Sequence, residues 1–213
     1  MIHVPFITVE GPIGVGKTSL SKAISEHFHY ELLKEIVDEN PFLGKFYTDI
    51  EEWSFQTEMF FLCNRFKQLE DIDRMFLNKS IPVVADYHIL KNLIFASRTL
   101  KDKQHDKYLK IYQILTEDMP KPNVVIYLTA SLETLQKRIQ LRGREFEQLI
   151  EDQYLLQLIE DYETHMKEFQ AKYPEIPVLK YDGDQIDFVN NPRDLTMILE
   201  SLENTLQKEL RSI

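Results

Sequence analysis

The chemistry of this chain starts in a glycine-rich segment that lies between an apolar run and a helical pattern. Residues 11–18 read GPIGVGKT and fit the phosphate-binding pattern G-x-x-x-x-G-K-[ST]. Lys17 can reach the β- and γ-phosphates of a nucleoside triphosphate, while Thr18 can offer its hydroxyl to Mg²⁺. A glycine-rich turn with a surface lysine is the alternative, which the strand before and the helix after disfavour. We therefore predict triphosphate contacts from Gly11, Pro12, Ile13, Gly14, Val15, Gly16, Lys17 and Thr18.

A cluster of arginines ends a helical pattern in the second half of the chain. Residues 138–144 read RIQLRGR, so Arg138 and Arg142 are four positions apart and share one helical face. Two cations on one face repel unless an anion lies between them, and guanidinium groups suit the planar charge of a transferring phosphoryl group. Gly143 allows a hinge before Arg144. The alternative is a basic helix end on the surface, but with a phosphate-binding loop upstream we predict an arginine-rich lid at about 138–148.

Two charged residues flank the apolar stretch MFFLC in a third segment. Glu58 and Arg65 are seven positions apart, which places them on one face of a helix, two turns from each other. Charges on a buried helix are costly unless they are paired or bound. The pair therefore indicates either a ligand contact or a structural ion-pair network.

The apolar pattern predicts the elements that must bring these residues together. We expect strands at 4–10, 31–37, 81–86, 123–129 and 176–181. We expect helices at 17–29, 41–47, 51–77, 88–100, 105–118, 132–142 and 148–172, and one from 192 onward. Alternating strands and helices imply an α/β fold of three layers, α/β/α, around a five-stranded parallel sheet. Because ligands bind at the carboxyl ends of parallel strands, residues 10–18, Glu35, Asp86 and Thr129 should share one edge.

Length and composition exclude several classes of protein. The 213 residues fit one domain, 1–213, and the formal net charge of −10 argues against a nucleic-acid polymer as partner. No apolar run reaches the length of a membrane span, and the first residues lack the basic region of a signal peptide, so we expect no membrane partner. The single cysteine, Cys63, fits a reducing cytoplasm, and we expect it to be a small buried apolar residue.

Six segments resemble the deoxynucleoside kinase family, which includes deoxycytidine, deoxyadenosine and deoxyguanosine kinases. They are GPIGVGKT at 11–18, KEIVDENPFLGKFY at 34–47, EWSFQTEMFFLCNR at 52–65, ADYHILKNLIFA at 85–96, RIQLRGREFE at 138–147 and DGDQIDFV at 182–189. The segments at 52–65 and 85–96 resemble bacterial deoxyguanosine kinases in particular. The resemblance implies a P-loop fold, a cytoplasmic homodimer, ATP with Mg²⁺ as cofactor, and phosphorylation of a deoxynucleoside on its 5′-hydroxyl for salvage.

The resemblance also assigns roles to acids at the ends of two strands. Glu35 matches the acid close to the 5′-hydroxyl, where a carboxylate can accept the hydroxyl proton. Asp86 matches the acid of the family's Asp/Glu-Arg-Ser motif and is expected to hold Mg²⁺ together with Thr18. A solvated loop acid and a polar strand cap are the respective alternatives. We therefore predict a catalytic group of Asp86, Glu35, Lys17, Arg138 and Arg142.

The residues after Asp86 depart from the family pattern. Tyr87 and His88 stand where the family has arginine and serine, so the usual positive charge beside the reacting phosphate is missing. Lys91, one helical turn further on, could replace it, as could His88, although a lone histidine is more often structural. We count Tyr87 and Asn92 of the same segment among the substrate-binding residues.

The remaining family matches concern the sugar and the adenine of ATP. Glu147 matches a lid acid that holds the 3′-hydroxyl together with the phenol of Tyr47, although Tyr47 could equally be a core tyrosine. The segment at 182–189 resembles the loop that cups the adenine, with Asp187 and Phe188 as the contact residues and Arg142 and Arg144 as further ATP ligands.

The base-reading helix of the family usually has glutamine where this chain has Glu58. A carboxylate only accepts hydrogen bonds, and guanine presents two adjacent donors, N1–H and N2–H₂. The O6 and N7 acceptors of guanine suit the fork of Arg65. The expected substrate is therefore a purine deoxynucleoside, in the first place deoxyguanosine. A deoxyadenosine or broad-specificity kinase, and a non-catalytic nucleotide sensor of another class, are the alternatives.

Overall fold

A five-stranded sheet forms the centre of the fold in the computed structural model, which describes residues 4–36 and 39–211. The strands are β1 Phe6–Glu10, β2 Glu31–Leu33, β3 Val83–Ala85, β4 Val124–Thr129 and β5 Val178–Asp182. They lie in the order β2-β3-β1-β4-β5, and every pair is parallel. β1 is buried at each of its positions, as expected for a central strand covered on both faces.

Helices cover the two faces of this sheet. They are α1 Lys17–Phe28, α2 Leu43–Thr48, α3 Ile50–Met75, α4 Lys91–Thr99, α5 Asp102–Thr116, α6 Leu132–Arg142, α7 Asp152–Lys172 and α8 Pro192–Arg211. Alternate residues of β1 divide the core, because Ile7 and Val9 pack with α1 and α8 while Phe6 packs with α3 and α5. α7 packs over β4 through a third apolar cluster on the second face. The predicted three-layer architecture is confirmed.

The second strand is shorter than predicted, because its chain leaves the sheet early. Asp86 N–H donates to the Leu33 carbonyl at 3.0 Å, which is the last pairing between these two strands. The N–H of Glu35 instead donates to the Asp86 carboxylate at 2.7 Å. A side chain thus replaces the sheet partner at this point and turns the chain toward the strand edge. The rest of the predicted strand includes Val37, which lies outside the described residues.

The lid segment also departs from the predicted long helix at 148–172. Residues Glu145–Leu149 form a 3-10 helix, and α7 begins only at Asp152. Glu147 in this segment is buried and bound to Arg142. That contact anchors the chain between the two helices, which separates α6 from α7.

Helix phase decides which side of α3 faces the core. Its buried positions include Thr57, Glu58, Phe61 and Arg65, which follow a spacing of three and four. Cys63 falls on the opposite side and is exposed, so the prediction of a buried cysteine is wrong. Over the described ranges, the helices do not combine the length and apolarity that crossing a bilayer requires.

Candidate active site

A cavity of about 1120 Å³ opens at the carboxyl ends of the strands. This volume lies above the usual upper range of roughly 1,000 Å³ for a single small-molecule site. Its walls come from the phosphate-binding loop, α2, α3, α4, the lid and the loop after β5. Glu35, Asp86 and Lys17 all line it, as the strand-end rule predicts.

The phosphate-binding loop is held tightly against the sheet. Gly11 has φ +145°, and a Cβ there would lie 2.3 Å from the Leu128 carbonyl oxygen of β4. Gly16 has φ +107°, and its missing Cβ makes room for the Phe188 ring. Gly16 is also the N-cap of α1, and no side chain from residues 4–36 or 39–211 caps that helix. The N–H groups of the first turn are therefore left for an anion, as in phosphate sites at helix N-termini.

Lys17 is folded back onto its own loop. Its Nζ donates to the carbonyl oxygens of Gly11 at 2.7 Å and Pro12 at 2.9 Å. Burial, followed by the positive charge of Lys91, lowers the pKa of Lys17 to about 7. A triphosphate would offer this amine charged acceptors, which favour its protonated form.

Thr18 and Asp86 form an oxygen-rich corner beside the loop. The Thr18 hydroxyl donates to Asp86 Oδ2 at 2.6 Å, and the Asp86 Oδ1 accepts from the Glu35 N–H. A hydroxyl and a carboxylate are the hard oxygen ligands that Mg²⁺ prefers. Within the described ranges no cluster of three or more His, Cys, Asp or Glu could hold a metal. The corner therefore fits a magnesium ion that takes its other ligands from phosphate and water.

Glu35 lies between two cations from different helices. Lys91 Nζ donates to its Oε2 at 2.7 Å, and Arg65 donates to its Oε1 through Nε at 3.0 Å and through Nη2. Burial alone would raise the pKa of Glu35, but Lys91 and Arg65 outweigh it and hold that pKa well below its usual range. Lys91 thus places a buried positive charge beside the predicted catalytic acid, in the absence of the family arginine.

Three other residues of the segment after β3 lie away from the cavity surface. Tyr87 is fully buried, and its hydroxyl donates to Gln68 Oε1 at 3.0 Å. Asn92 is also fully buried, and its side-chain amide donates to the Tyr108 hydroxyl at 2.8 Å. The structure places both behind the cavity wall, so this geometry does not support the direct substrate contacts predicted for them. Burial lowers the pKa of His88 to about 4, which leaves it neutral near pH 7 and unable to replace the arginine.

The lid arginines are paired within the protein. Arg142 donates to both carboxylate oxygens of Glu147, through Nε at 2.9 Å and through Nη2, and Arg144 donates to Glu147 Oε1 at 3.4 Å. Arg138 donates to the main-chain carbonyls of Val15 and Gly183, both at 2.9 Å. Arg138 therefore ties the phosphate-binding loop to the loop after β5. An incoming phosphate must compete with Glu147 for Arg142.

The predicted sugar and adenine residues also reach the cavity. Tyr47 lines it beside the lid, with its ring parallel to Phe146 at 6.5 Å between centroids. Burial, followed by the charge of Glu147, raises the pKa of Tyr47. Asp187 lines the cavity but accepts hydrogen bonds from the N–H groups of its own turn, and Phe188 packs beneath Gly16.

Glu58 and Arg65 both lie on the inner wall and are almost fully buried, at 2% and 3% exposure. Glu58 Oε1 accepts from the Thr99 hydroxyl at 3.2 Å, whereas its Oε2 has no hydrogen-bond partner among the described residues. Arg65 uses Nε and Nη2 for Glu35, whereas its Nη1 has no such partner. One acceptor of Glu58 and one donor of Arg65 thus remain unsatisfied, as does the Thr57 hydroxyl on the same wall, which is unusual for buried polar atoms.

The comparison with protein families decides the identification. The sequence matches the deoxynucleoside kinase family over residues 7–207. The chain belongs to that family. Its fold agrees with this, because the kinase resembles a solved deoxyadenosine kinase from M. mycoides with bound dATP. The TM-score is 0.79 at 26% identity, covering 93% of this chain and 99% of the other.

Two curated relatives from Bacillus subtilis (strain 168) are similar to this kinase over most of their length. A deoxyguanosine kinase is 57% identical over 194 residues, which covers 91% of this chain and 94% of the relative. A deoxyadenosine/deoxycytidine kinase is 32% identical, covering 96% of this chain and 95% of the relative.

Two buried residues of the kinase, Glu10 and Thr99, had no predicted role. Glu10 ends β1, and its carboxylate accepts hydrogen bonds from the N–H groups of Gly11, at 3.2 Å, and His88. It therefore joins the phosphate-binding loop to the segment after β3. The sequence did contain a signal for Glu10, namely a charged residue at the end of a buried strand. Thr99 beside Glu58 gave no such signal, because the two are far apart in sequence.

Proposed function

We propose that this kinase transfers the γ-phosphate of ATP to the 5′-hydroxyl of a purine deoxynucleoside, with deoxyguanosine preferred. The buried pair of Glu58 and Arg65, with one unsatisfied acceptor and one unsatisfied donor, carries the choice of base. The similarity to the deoxyguanosine kinase of Bacillus subtilis supports the same choice.

The hydrogen-bonding pattern of guanine complements this pair. Glu58 Oε2 can accept from N1–H or N2–H₂, and Arg65 Nη1 can donate to O6 or N7. Adenine would set its N1 lone pair against the Glu58 carboxylate. An unpaired buried polar group costs about 1–3 kcal/mol, which corresponds to a preference of roughly 5-fold to 150-fold.

The phosphate side follows from the loop and the lid. Lys17 and the N–H groups at the start of α1 bind the triphosphate, and Arg142 leaves Glu147 to join them. Thr18 and Asp86 would hold Mg²⁺, which supplies charge neutralisation between the phosphates when it is bound. Lys91 adds the positive charge that an arginine provides in other members of the family.

Glu35 orients the nucleophile in this proposal. Its carboxylate stays ionised because Lys91 and Arg65 hold its pKa low, so it accepts a hydrogen bond from the 5′-hydroxyl. A weak base suffices, since phosphoryl transfer is loose and depends on positioning and charge stabilisation. The proton can pass to Glu35 late, when the hydroxyl oxygen is already bonded to phosphorus.

Steady-state kinetics with ATP and Mg²⁺ on all four deoxynucleosides test the proposal. Deoxyguanosine should give the highest kcat/KM, and Glu58→Met, which removes the acceptor at this wall, should raise deoxyadenosine activity relative to deoxyguanosine. Glu52→Gln, an exposed change at the start of the same helix, is the control and should leave the ratio unchanged. Equal ratios for Glu58→Met and the wild type would refute the assignment of the base.

A deoxyadenosine or mixed deoxynucleoside kinase is the second candidate, favoured by the 32% identical deoxyadenosine/deoxycytidine kinase. The same substrate panel separates the two. A nucleotide sensor would form no ADP with any nucleoside. We also propose a cytoplasmic homodimer on the family resemblance, which sedimentation of the purified chain tests.

A further inference from the structure

The hydroxyl of Thr99 has two hydrogen-bond partners but only one proton. Thr99 lies at the end of α4 and is 6% exposed. Its Oγ1 lies 2.9 Å from the Phe95 carbonyl oxygen and 3.2 Å from Glu58 Oε1. A hydroxyl donates once and accepts through its lone pairs, so it cannot donate to both oxygens at the same time.

This arrangement fits either protonation state of Glu58. When Glu58 is ionised, the Thr99 hydroxyl donates to Oε1. When Glu58 carries a proton on Oε1, that proton can be donated to Thr99 Oγ1, whose own hydrogen then binds the Phe95 carbonyl. In both cases Oε2, which has no partner in the part of the chain that the structure describes, remains a hydrogen-bond acceptor.

We propose that Thr99 is a specificity-determining positioning residue, which holds any proton of Glu58 on the oxygen away from the base and so keeps Oε2 an acceptor for guanine. This inference rests on the proposed preference for deoxyguanosine. Under this inference Thr99, which lies outside α3, preserves that preference when Glu58 is neutral.

The surroundings of Glu58 populate both states near neutral pH. Burial raises the pKa of the Glu58 carboxyl to about 7, against the opposing effects of Arg65, Thr99 and Lys91. Three tyrosines from other elements also face it electrostatically: Tyr47 of α2, Tyr108 of α5 and Tyr154 of α7. They are neutral in this range, because their pKa values are raised.

Removing the hydroxyl should therefore free the proton of neutral Glu58. In Thr99→Val the protonated carboxyl has no partner at its rear and can turn its O–H toward the base. That O–H can donate to the N1 acceptor of adenine, which the wild type rejects. The loss of selectivity should grow as pH falls through the pKa of Glu58, because only the neutral acid has an O–H to donate.

The test compares kcat/KM for deoxyguanosine and deoxyadenosine at about pH 6, 7 and 8.5. The ratio cancels titrations of the phosphate-binding groups, which both substrates share. The wild type and Thr99→Ser should hold the ratio within about twofold, whereas in Thr99→Val it should fall about tenfold or more toward pH 6. Thr99→Ala replaces the valine variant if thermal unfolding shows that the latter is not folded.

The outcomes separate this inference from the proposed function. If the wild type prefers deoxyguanosine and the variant without a hydroxyl gives the same flat profile, Thr99 has no such role. A wild-type ratio that falls with acid as steeply as that of Thr99→Val also overturns it. If the wild type shows no preference for deoxyguanosine at any pH, the proposed function fails, and this inference fails with it.

Discussion

Replacing Lys91 with methionine should destabilise the kinase and slow it. The Lys91–Glu35 ion pair has an N–O distance of 2.7 Å, and both side chains are only 8% exposed. Removing one partner of a buried pair costs about 3–5 kcal/mol, and Arg65 still neutralises Glu35, so we expect the lower end, about 3 kcal/mol. For a chain of this size, about 3 kcal/mol lowers Tm by roughly 6–12 °C.

Lys180→Met provides a matched control. The Lys180–Glu163 pair has the same distance of 2.7 Å, but its side chains are 50% and 37% exposed. Both lysines also lie over an aromatic ring, at 5.6 Å for Lys91 and 5.3 Å for Lys180. Exposed pairs contribute at most about 1 kcal/mol, so Tm should fall by no more than about 4 °C in the control.

The assay is thermal unfolding without ligands between pH 4 and 8, followed by kcat on deoxyguanosine. Because the pKa of Glu35 is held below its usual range, its contribution is complete above the unfolded pKa of about 4.3 and is lost only at lower pH. The difference between wild type and Lys91→Met should therefore be constant from about pH 5 to 6.5. It should grow above that range, because Lys91 also lowers the pKa values of Lys17 and Glu58, both of which lie at about 7. The kcat should fall about a hundredfold. A Tm loss no larger than that of Lys180→Met would refute the reasoning.

Three further predictions concern Glu58, Gly11 and Glu147. The pKa of Glu58 is raised to about 7, so its ionisation costs stability as pH rises through 7. The free energy of unfolding of Glu58→Gln, relative to that of the wild type, should therefore be about 3 kcal/mol higher at pH 8.5 than at pH 4. Denaturant unfolding at the two pH values measures this difference. Gly11→Ala should lose at least about 3 kcal/mol because its Cβ would meet a main-chain carbonyl, whereas Gly44→Ala, with open space, should be neutral or stabilising; equal unfolding curves would contradict this. If Glu147 holds the 3′-hydroxyl after Arg142 leaves it, Glu147→Gln should weaken the preference for a deoxynucleoside over the 2′,3′-dideoxynucleoside. The ratio of the two kcat/KM values should be about tenfold lower than in the wild type.

The phosphate-binding loop and the meeting of strand-end residues at one edge of the sheet could be predicted, because both follow from short local patterns. A loop of eight residues fixes its own geometry, and parallel strands bring their ends to one edge whatever their lengths. Strand and helix bounds were less predictable. β2 ends at Leu33 because the Asp86 side chain takes the next N–H, and that contact joins residues 51 positions apart.

The buried contacts of the site were not visible in the sequence for the same reason. Lys91 was one candidate replacement for the missing arginine, but only the packing of α4 against α3 places it on Glu35 together with Arg65. Thr99 and Glu58 lie 41 positions apart and meet through that same packing. Cys63 was assigned to the core from apolar composition alone, whereas the phase of α3 turns it outward.

The guanidinium of Arg65 spans two parts of the site. Two of its nitrogens donate to Glu35, and the third, Nη1, is the donor that we propose for the base. Because this group is rigid and planar, we expect a poorly fitting base to tilt the Glu35 carboxylate, which we propose aligns the 5′-hydroxyl. Nucleosides with the wrong base should therefore bind but react slowly, so that selectivity appears in kcat more than in KM.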